Sequence, residues 1–336
     1  MNSIPGYCAK NQHRFLEDMR ISDAKSLQTL ILALLLAASV IFISSASAGE
    51  PDWGQVPAKT VKTFYPGVAS WDFMTGKDHG TGGNVVKKLE KGCADCHVAK
   101  DGAYDIKADK IISGELKKVA SGAPLEQEPL AGMPGFKDVS VQAAYDAENI
   151  YLRFQWPGSG ASAADPALKE ADGVSVQIAD KIKSFSDYGC FITCHDSQTG
   201  MPENRGEEKK LAAYYADGKP QDKLDGYLAK GQFIDLWETL VKGKEVKAKD
   251  EYILDSRHED KNDLTASGGF EGGKYTVVIT RKLSTGDKGD IAFKDGKTFS
   301  IGISIHDNKN KGRKHYVSFP LSVGLSTAGD VTAKKF

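Results

Sequence analysis

Two short cysteine motifs carry the most specific chemistry in this chain. Residues 93–97 read C-A-D-C-H, which is the C-x-x-C-H pattern to which a c-type haem is attached. Cys93 and Cys96 are spaced so that each thiol can form a thioether to one edge of a porphyrin. His97 then lies beneath the ring, where an imidazole is an axial ligand that helps to set the potential of the iron. The motif predicts one covalently attached haem c.

The second motif repeats this pattern with one extra residue, C-F-I-T-C-H at residues 190–195. We interpret Cys190 and Cys194 as a second haem c attachment, with His195 as its proximal ligand. The extra residue should bulge within the loop and leave the ligand unchanged. Disulfide bridges are the alternative, because these four cysteines are the only ones outside residues 1–48 and exported proteins favour bridges. A histidine directly after each cysteine pair favours two haems, since a disulfide does not require one.

An iron that only transfers electrons needs a second axial ligand on its other face. For the first haem we predict His79, which precedes Cys93 in a glycine-flanked loop. Met74 is the alternative ligand, and an ordinary surface histidine is the alternative interpretation of His79.

For the second haem, His315 and His306 compete, because they bracket one hairpin loop. We favour His315, whose side of the strand carries the apolar residues Val317 and Phe319. His306 shares its side with polar and small residues, and we expect it to form a hydrogen bond to a propionate or to another residue.

Two further residues are weaker candidates. Met201 follows the second motif closely and could be a ligand, although Met201 and Pro202 could equally shape a turn. His258 has charged neighbours, and we expect it to be solvated. Paired histidine ligands would hold both irons at lower potentials than His/Met ligation, because a thioether raises the potential.

The first 48 residues have the pattern of a secretory signal. Arg20 and Lys25 precede an apolar run at residues 30–43, and residues 46–48 read A-S-A, a small-residue cleavage site. The run is shorter than the roughly 20 residues of a membrane span, and an uncleaved anchor is the alternative. Met19 is a possible true start. We expect a periplasmic protein with no membrane span after cleavage.

Composition excludes several other functions. The chain has 336 residues, a formal net charge of -1 and 40% hydrophobic residues, which is typical of a globular protein. It has no excess of basic residues for binding nucleic acid. It also lacks a glycine-rich phosphate loop and a Ser/His/Asp signature, and electron transfer needs no catalytic acid or base.

The hydrophobic pattern changes along the chain. From residue 138 it has a period of two, and short strands separated by turns predict a β-sandwich. Strands are predicted at residues 139–143, 150–156, 173–178, 275–281, 298–306 and 315–321, with a weaker one at 110–112. A helix is predicted to begin at residues 69–74 and to end at Gly80, Gly82 and Gly83. Two more helices are predicted in an insertion, at residues 207–216 and 233–241.

We therefore predict a mainly β protein with helical insertions. Residues 1–48 form the signal, residues 49–137 an N-terminal c-haem segment, and residues 138–336 a β-sandwich haem-binding domain that holds the second haem.

Residues 138–320 resemble the haem-binding domain shared by ethylbenzene-dehydrogenase-related proteins, cytochrome c-552 and the haem subunits of type II dimethylsulfoxide-reductase-like enzymes. Residues 64–97 are similar to the N-terminal c-haem segment of the di-haem members. The stretches that carry the first resemblance are D-A-E-N-I-Y-L-R-F at 146–154, G-C-F-I-T-C-H at 189–195 with M-P at 201–202, I-H-D at 305–307 and R-K-H-Y-V-S at 313–318.

The resemblance implies a haem-holding β-sandwich and electron transfer with protein partners. The family's enzyme subunits hold a b haem through Met and Lys, whereas the corresponding domain here carries its own cysteines and a histidine. We expect a di-haem c-type cytochrome between a membrane quinol-oxidising system and a periplasmic reductase or dehydrogenase. The alternatives are a haem subunit of a larger oxidoreductase complex, a haem-based sensor, and a di-haem peroxidase or reductase with one open iron.

Overall fold

The computed structural model describes residues 49–100, 103–167, 171–195, 211–307 and 315–336. Residues 51–336 form one compact unit, in which strands far outweigh helices. The predicted signal at residues 1–48 lies outside the described residues. Within the described ranges, none of the helices is long and apolar enough to cross a membrane.

Thirteen strands are described. They are β1 (Lys59–Phe64), β2 (Phe136–Tyr145), β3 (Asn149–Pro157), β4 (Gly173–Ala179), β5 (Ile234–Lys242), β6 (Glu245–Ile253), β7 (Arg257–Glu259), β8 (Thr265–Glu271), β9 (Lys274–Lys282), β10 (Thr298–His306), β11 (Tyr316–Ser318), β12 (Leu321–Leu325) and β13 (Val331–Lys335).

Short helices lie between the strands. They are α1 (Trp71–Thr75), α2 (Thr81–Lys87), α3 (Ala108–Ile112), α4 (Ala161–Ala164), α5 (Lys183–Tyr188) and α6 (Gln221–Ala229), with 3₁₀ turns at Lys77–His79, Cys93–Asp95 and Gly189–Thr193.

All described strands belong to one sheet, in the order β7-β6-β5-β4-β10-β11-β1-β2-β3-β9-β8. Strands β12 and β13 bridge β10 to β2 beside the β11–β1 pair. The pairs β12–β13 and β13–β2 are parallel, and the others are antiparallel. Strand β1 therefore brings part of the 49–137 segment into the sheet formed by the later strands.

The sheet folds over on itself, so that its two halves face each other across the core. Arg281 of β9 donates a hydrogen bond to Asp235 of β5 at 2.7 Å, although six strands separate β5 from β9 in the sheet order. Buried aliphatic and aromatic side chains from both halves fill one continuous core. The predicted mainly β sandwich is thus confirmed.

The hairpin of β2 and β3 shows how local sequence forms the sheet. Val139, Val141 and Ala143 are buried on one face, and Asp146 turns the chain by accepting hydrogen bonds from the backbone N–H groups of Glu148 and Asn149, both at 2.7 Å. This is the local side-chain bonding that makes aspartate a turn residue. The strands predicted at 150–156, 173–178, 275–281 and 298–306 are likewise confirmed.

The helix predicted at residues 233–241 is wrong, because this segment is strand β5. Asp235 and Trp237 are as buried as Ile234 and Leu236, so both faces of the strand are covered. A strand buried on both faces loses its period-two alternation. The apolar residues of this segment therefore have a spacing that also fits one face of a helix.

Three smaller predictions also differ from the structure. Residues 110–112 lie in α3 rather than in a strand. Residues 211–216 are not helical, residues 207–210 lie outside the described part, and the nearby helix is α6. The last predicted strand is split into β11 and β12.

The helix predicted to begin near Ser70 is confirmed as α1. The Ser70 hydroxyl caps it by accepting a hydrogen bond from the Phe73 N–H. The predicted break holds only at Gly80, because Gly82 and Gly83 lie inside α2.

Candidate haem-binding sites

The first cysteine motif begins with a 3₁₀ turn. The Asp95 carboxylate accepts a hydrogen bond from the Gly92 N–H at 2.8 Å, and the His97 N–H donates to the Cys93 carbonyl at 2.9 Å. These bonds curl the motif so that Cys93, Cys96 and His97 all line one cavity. Cys93 is buried and Cys96 is exposed, and both are free thiols.

His79 lies opposite the motif, in the 3₁₀ turn between α1 and α2. Its Nδ1 lies 2.9 Å from the backbone oxygen of Met74. A carbonyl can only accept, so Nδ1 carries the proton and Nε2 keeps its lone pair. Such an outer hydrogen bond fixes the tautomer and orientation of metal-binding histidines. Met74, the alternative ligand, supplies this backbone oxygen, and its side chain is buried.

The imidazoles of His79 and His97 line the same cavity. Their ring centres are 6.2 Å apart and their planes differ by 7°. Two metal–imidazole bonds of about 2 Å each, together with the distance from each ring centre to its nitrogen, match this separation when both nitrogens point at one metal. The separation is therefore compatible with one iron held by both histidines.

Two cavities flank the histidine pair. One of about 310 Å³ is lined by Val85, Val86, Cys93, Cys96 and the histidines. The other, of about 100 Å³, is walled by apolar side chains that include Phe191 and Phe319. A mostly apolar cleft lined by two imidazoles and two thiols contains the residue types that hold a covalently bound haem.

Gly82 is a site residue that the sequence analysis interpreted only as a helix breaker. A Cβ at this position would lie 2.9 Å from Cε1 of His79. Glycine is therefore needed here because the backbone of α2 packs directly against the imidazole. The position of Gly82 three residues after His79 was the sequence feature that could have indicated this contact.

Burial sets the charge state of this first site. It raises the pKa of the Cys93 thiol to about 12, so the thiol stays protonated at neutral pH. Burial, followed by the nearby His79, lowers the pKa of His97. A neutral imidazole is the form that binds a metal.

The second motif forms a longer 3₁₀ turn of five residues, compared with three in the first. Thr193 anchors it, because its hydroxyl donates to the Cys190 carbonyl at 2.8 Å and accepts from the Gln177 amide at 3.1 Å. The extra residue is thus absorbed by a longer turn tied to β4. Burial raises the pKa of the Cys190 thiol to about 12.

His195 is buried at the end of this motif. Its Nε2 lies 3.0 Å from the Ala212 carbonyl oxygen, and its Nδ1 lies 3.9 Å from a carboxylate oxygen of Asp217. Ligation of an iron through Nε2 therefore requires the bond to Ala212 to be exchanged. The second motif contains the donor types expected of a haem site. His195, however, would first have to give up a hydrogen bond before its Nε2 could bind a metal.

The structure brings His306 and His315 together. Ser304 of β10 lies opposite Val317 of β11, so the next cross-strand positions are His306 and His315, on one face of the sheet. Their ring centres are 5.1 Å apart, and Nε2 of His306 lies 2.9 Å from the Ser175 hydroxyl. The assignment of the two histidines to one polar and one apolar face is therefore wrong.

That shared face also contacts the second cysteine motif. The Ser304 hydroxyl lies 3.9 Å from the Cys190 sulfur, and a Cβ at Gly302 would lie 2.6 Å from it. Both histidines thus belong to the strand surface beneath Cys190, and the choice between them as ligand stays a prediction.

The segments that carry the two motifs pack against each other. The Trp71 N–H donates a hydrogen bond to the Cys194 carbonyl, and the Tyr188 hydroxyl donates to the Lys91 carbonyl at 2.7 Å. Phe191, the neighbour of Cys190, lines the cavity beside His97. The chain therefore places the two candidate sites side by side.

The remaining candidates give no ligand in the described structure. Met201 lies outside the described residues. His258 is half-buried rather than solvated, because it stacks on Tyr252 and binds Asp255 through Nε2 at 2.8 Å.

Comparisons with known proteins agree with these features. The family model described as Ethylbenzene dehydrogenase matches residues 50–242 and 229–318. Cytochrome c-552 of Stutzerimonas stutzeri is 36% identical over 318 residues, covering 92% of this chain and 99% of that protein. Cytochrome c-551 of Rhodocyclus tenuis is 30% identical over 291 residues, covering 85% of this chain and 99% of that protein.

Among solved structures, a carbohydrate binding module family 9 (CBM9) from Caldicellulosiruptor kristjanssonii in complex with cellotriose matches with a TM-score of 0.30 and 7% sequence identity. The match covers 61% of this chain and 79% of that chain. This likeness is too distant to support any inference about function.

Proposed function

The chain belongs to the ethylbenzene dehydrogenase family, and on this premise we propose that it is a periplasmic di-haem c-type cytochrome that transfers electrons between redox partners. Its cofactors are two covalently attached haem c groups. The family match, and the relatives named cytochrome c-552 and cytochrome c-551, support this class. The secretory pattern of residues 1–48 supports the periplasmic location.

The strongest structural support is the pair His79 and His97 beside two thiols. A bound haem supplies one-electron iron chemistry, while the protein holds its ligands and excludes water. Cys93 and Cys96 would hold the porphyrin, and the two imidazoles would close both faces of the iron. If His79 and His97 both bound the iron of a haem held here, a substrate would have no free position on it, which favours electron transfer over catalysis.

The second site would be held by Cys190, Cys194 and His195, with His315 as the distal ligand and His306 as its alternative. Its contact with the first site supports a common role for the two haems. We place the protein between a membrane quinol-oxidising system and a periplasmic reductase or dehydrogenase.

The absorption and electron paramagnetic resonance spectra of the oxidised protein test this proposal. Two irons with both axial positions filled should be low-spin, and azide should leave the spectrum unchanged. A high-spin signal with azide binding would instead indicate a peroxidase or reductase with one open iron.

The proposed partners need a separate test. Membranes that oxidise quinol should reduce the purified protein, and a periplasmic acceptor should reoxidise it. Stable co-purification with a molybdenum subunit would instead indicate a haem subunit of a larger complex.

A further inference from the structure

A buried group of three carboxylates lies away from the cysteine motifs, between the two halves of the sandwich. Asp235 of β5 and Asp250 of β6 share one face of the sheet, because Asp250 lies opposite Trp237 in the register. Asp290 reaches them from the segment between β9 and β10. One carboxylate oxygen from each residue lies within 4.8 Å of the others.

The charges of this group do not balance. Asp235 and Asp250 have 0% and 2% of their surface exposed, so water screens them little. Arg281 donates to Asp235 and to Asp290, each at 2.7 Å, and is the guanidinium within this group. One positive charge thus faces three carboxylates, and burying unpaired charge is costly.

Asp250 lacks the hydrogen bonds that a buried carboxylate normally makes. Within the described part of the chain, neither of its oxygens has a hydrogen-bond partner, and Oδ1 of Asp235 has none either. Such unsatisfied buried groups are rare in native proteins and call for an unseen ion or proton. One Asp250 oxygen lies within 4.8 Å of an oxygen of each of the other two carboxylates, so one cation could contact all three.

We propose that Asp235, Asp250 and Asp290 bind a calcium ion. All three residues offer oxygen ligands, which hard divalent cations prefer, and calcium accepts six to eight of them from carboxylates and backbone carbonyls. Magnesium usually keeps several waters and is seldom enclosed by protein, so this enclosed group suits calcium better.

Neighbouring features complete the proposed site. The Asp260 N–H lies 3.3 Å from the Asp250 carbonyl oxygen, and Oδ2 of Asp260 is a further buried oxygen without a hydrogen-bond partner in the described structure. A cavity of about 570 Å³ lined by Asp290 and Ile291 reaches the Asp290 side of the group. Calcium would then join β5, β6 and the segment before β10 into one rigid unit.

Calcium binding to the full-length mature holoprotein tests the proposal. Protein freed of metal with a chelator should bind one calcium ion per chain in isothermal titration calorimetry. Saturating calcium should raise its melting temperature by about 5 °C, and magnesium should compete weakly. The haem spectrum should stay unchanged, which separates this site from the proposed electron-transfer function.

Asp250→Asn keeps the shape of the side chain and removes one charge. It should weaken calcium binding at least about tenfold and remove the rise in melting temperature. Its metal-free form should be no less stable than the metal-free wild type, because the substitution removes a buried negative charge that Asp235 and Asp290 repel. Asp138→Asn, on the exposed surface of β2, is the matched control and should bind calcium normally. Absence of saturable calcium binding by the wild type, or unchanged binding by Asp250→Asn, would overturn the proposal.

Discussion

Replacing His79 with alanine should open one face of the first iron without unfolding the protein. His79 is half-buried in a short 3₁₀ turn, outside the strands that form the core. The hydrogen bond that its ring loses is the one to the Met74 carbonyl at 2.9 Å. Such a bond contributes about 1 kcal/mol to stability, which a protein of this size tolerates.

The size of the spectral effect follows from the site. Among the described residues that line its cavities, His79 and His97 supply the imidazoles. Loss of one of them leaves one of two haems with an open position, so about half of the low-spin haem signal should become high-spin in the oxidised protein. Added imidazole should enter the space left by the side chain and restore the low-spin signal.

Electron paramagnetic resonance and absorption spectroscopy measure this change. His258→Ala is the matched control, because its imidazole binds Asp255 away from the cysteine motifs, and it should keep both haems low-spin. A His79→Ala protein that is fully haem-loaded and fully low-spin without imidazole would refute His79 as the ligand.

Three further tests probe the second haem, the first site and the fold. His315→Ala should convert the second haem to high-spin while His306→Ala leaves it low-spin; the reverse result would exchange their roles. Gly82→Ala should push the His79 ring from a contact of 2.9 Å and add a high-spin fraction, and an unchanged spectrum would show that α2 adapts freely. Lys137→Met should lower the free energy of unfolding by about 3–5 kcal/mol in urea, because it removes the cation of a buried ion pair with Asp307 at 2.7 Å. Lys88→Met, from an exposed pair, should cost at most about 1 kcal/mol, and equal losses would contradict the argument.

Local sequence patterns were sufficient to predict an element where one of its faces is buried and the other is exposed to solvent. The hairpin of β2 and β3 could be predicted because Val139 and Val141 alternate with polar residues. Strand β5 could not, because Asp235 and Trp237 are both buried in the core and their partners come from distant strands. The alternation of apolar and polar residues arises because one face of a strand is exposed to water. A strand covered on both faces has no such alternation, so its sequence does not reveal it.

The site divides in the same way. The spacing of Cys93, Cys96 and His97 is a local signal, and it was readable directly. The partnership of His79 with His97 was predicted from proximity in the chain, and the structure places the two ring centres 6.2 Å apart with nearly parallel planes. The shared face of His306 and His315 could not be predicted, because it depends on the register between β10 and β11.

The intact mass of the mature protein, purified from cells that export it and mature c-type cytochromes, tests the central claim most directly. The account predicts a chain that begins at Gly49 and carries the added mass of two haems, retained under denaturing conditions because the thioethers are covalent. A mass that contains one haem and one disulfide, or two disulfides and no haem, would contradict it.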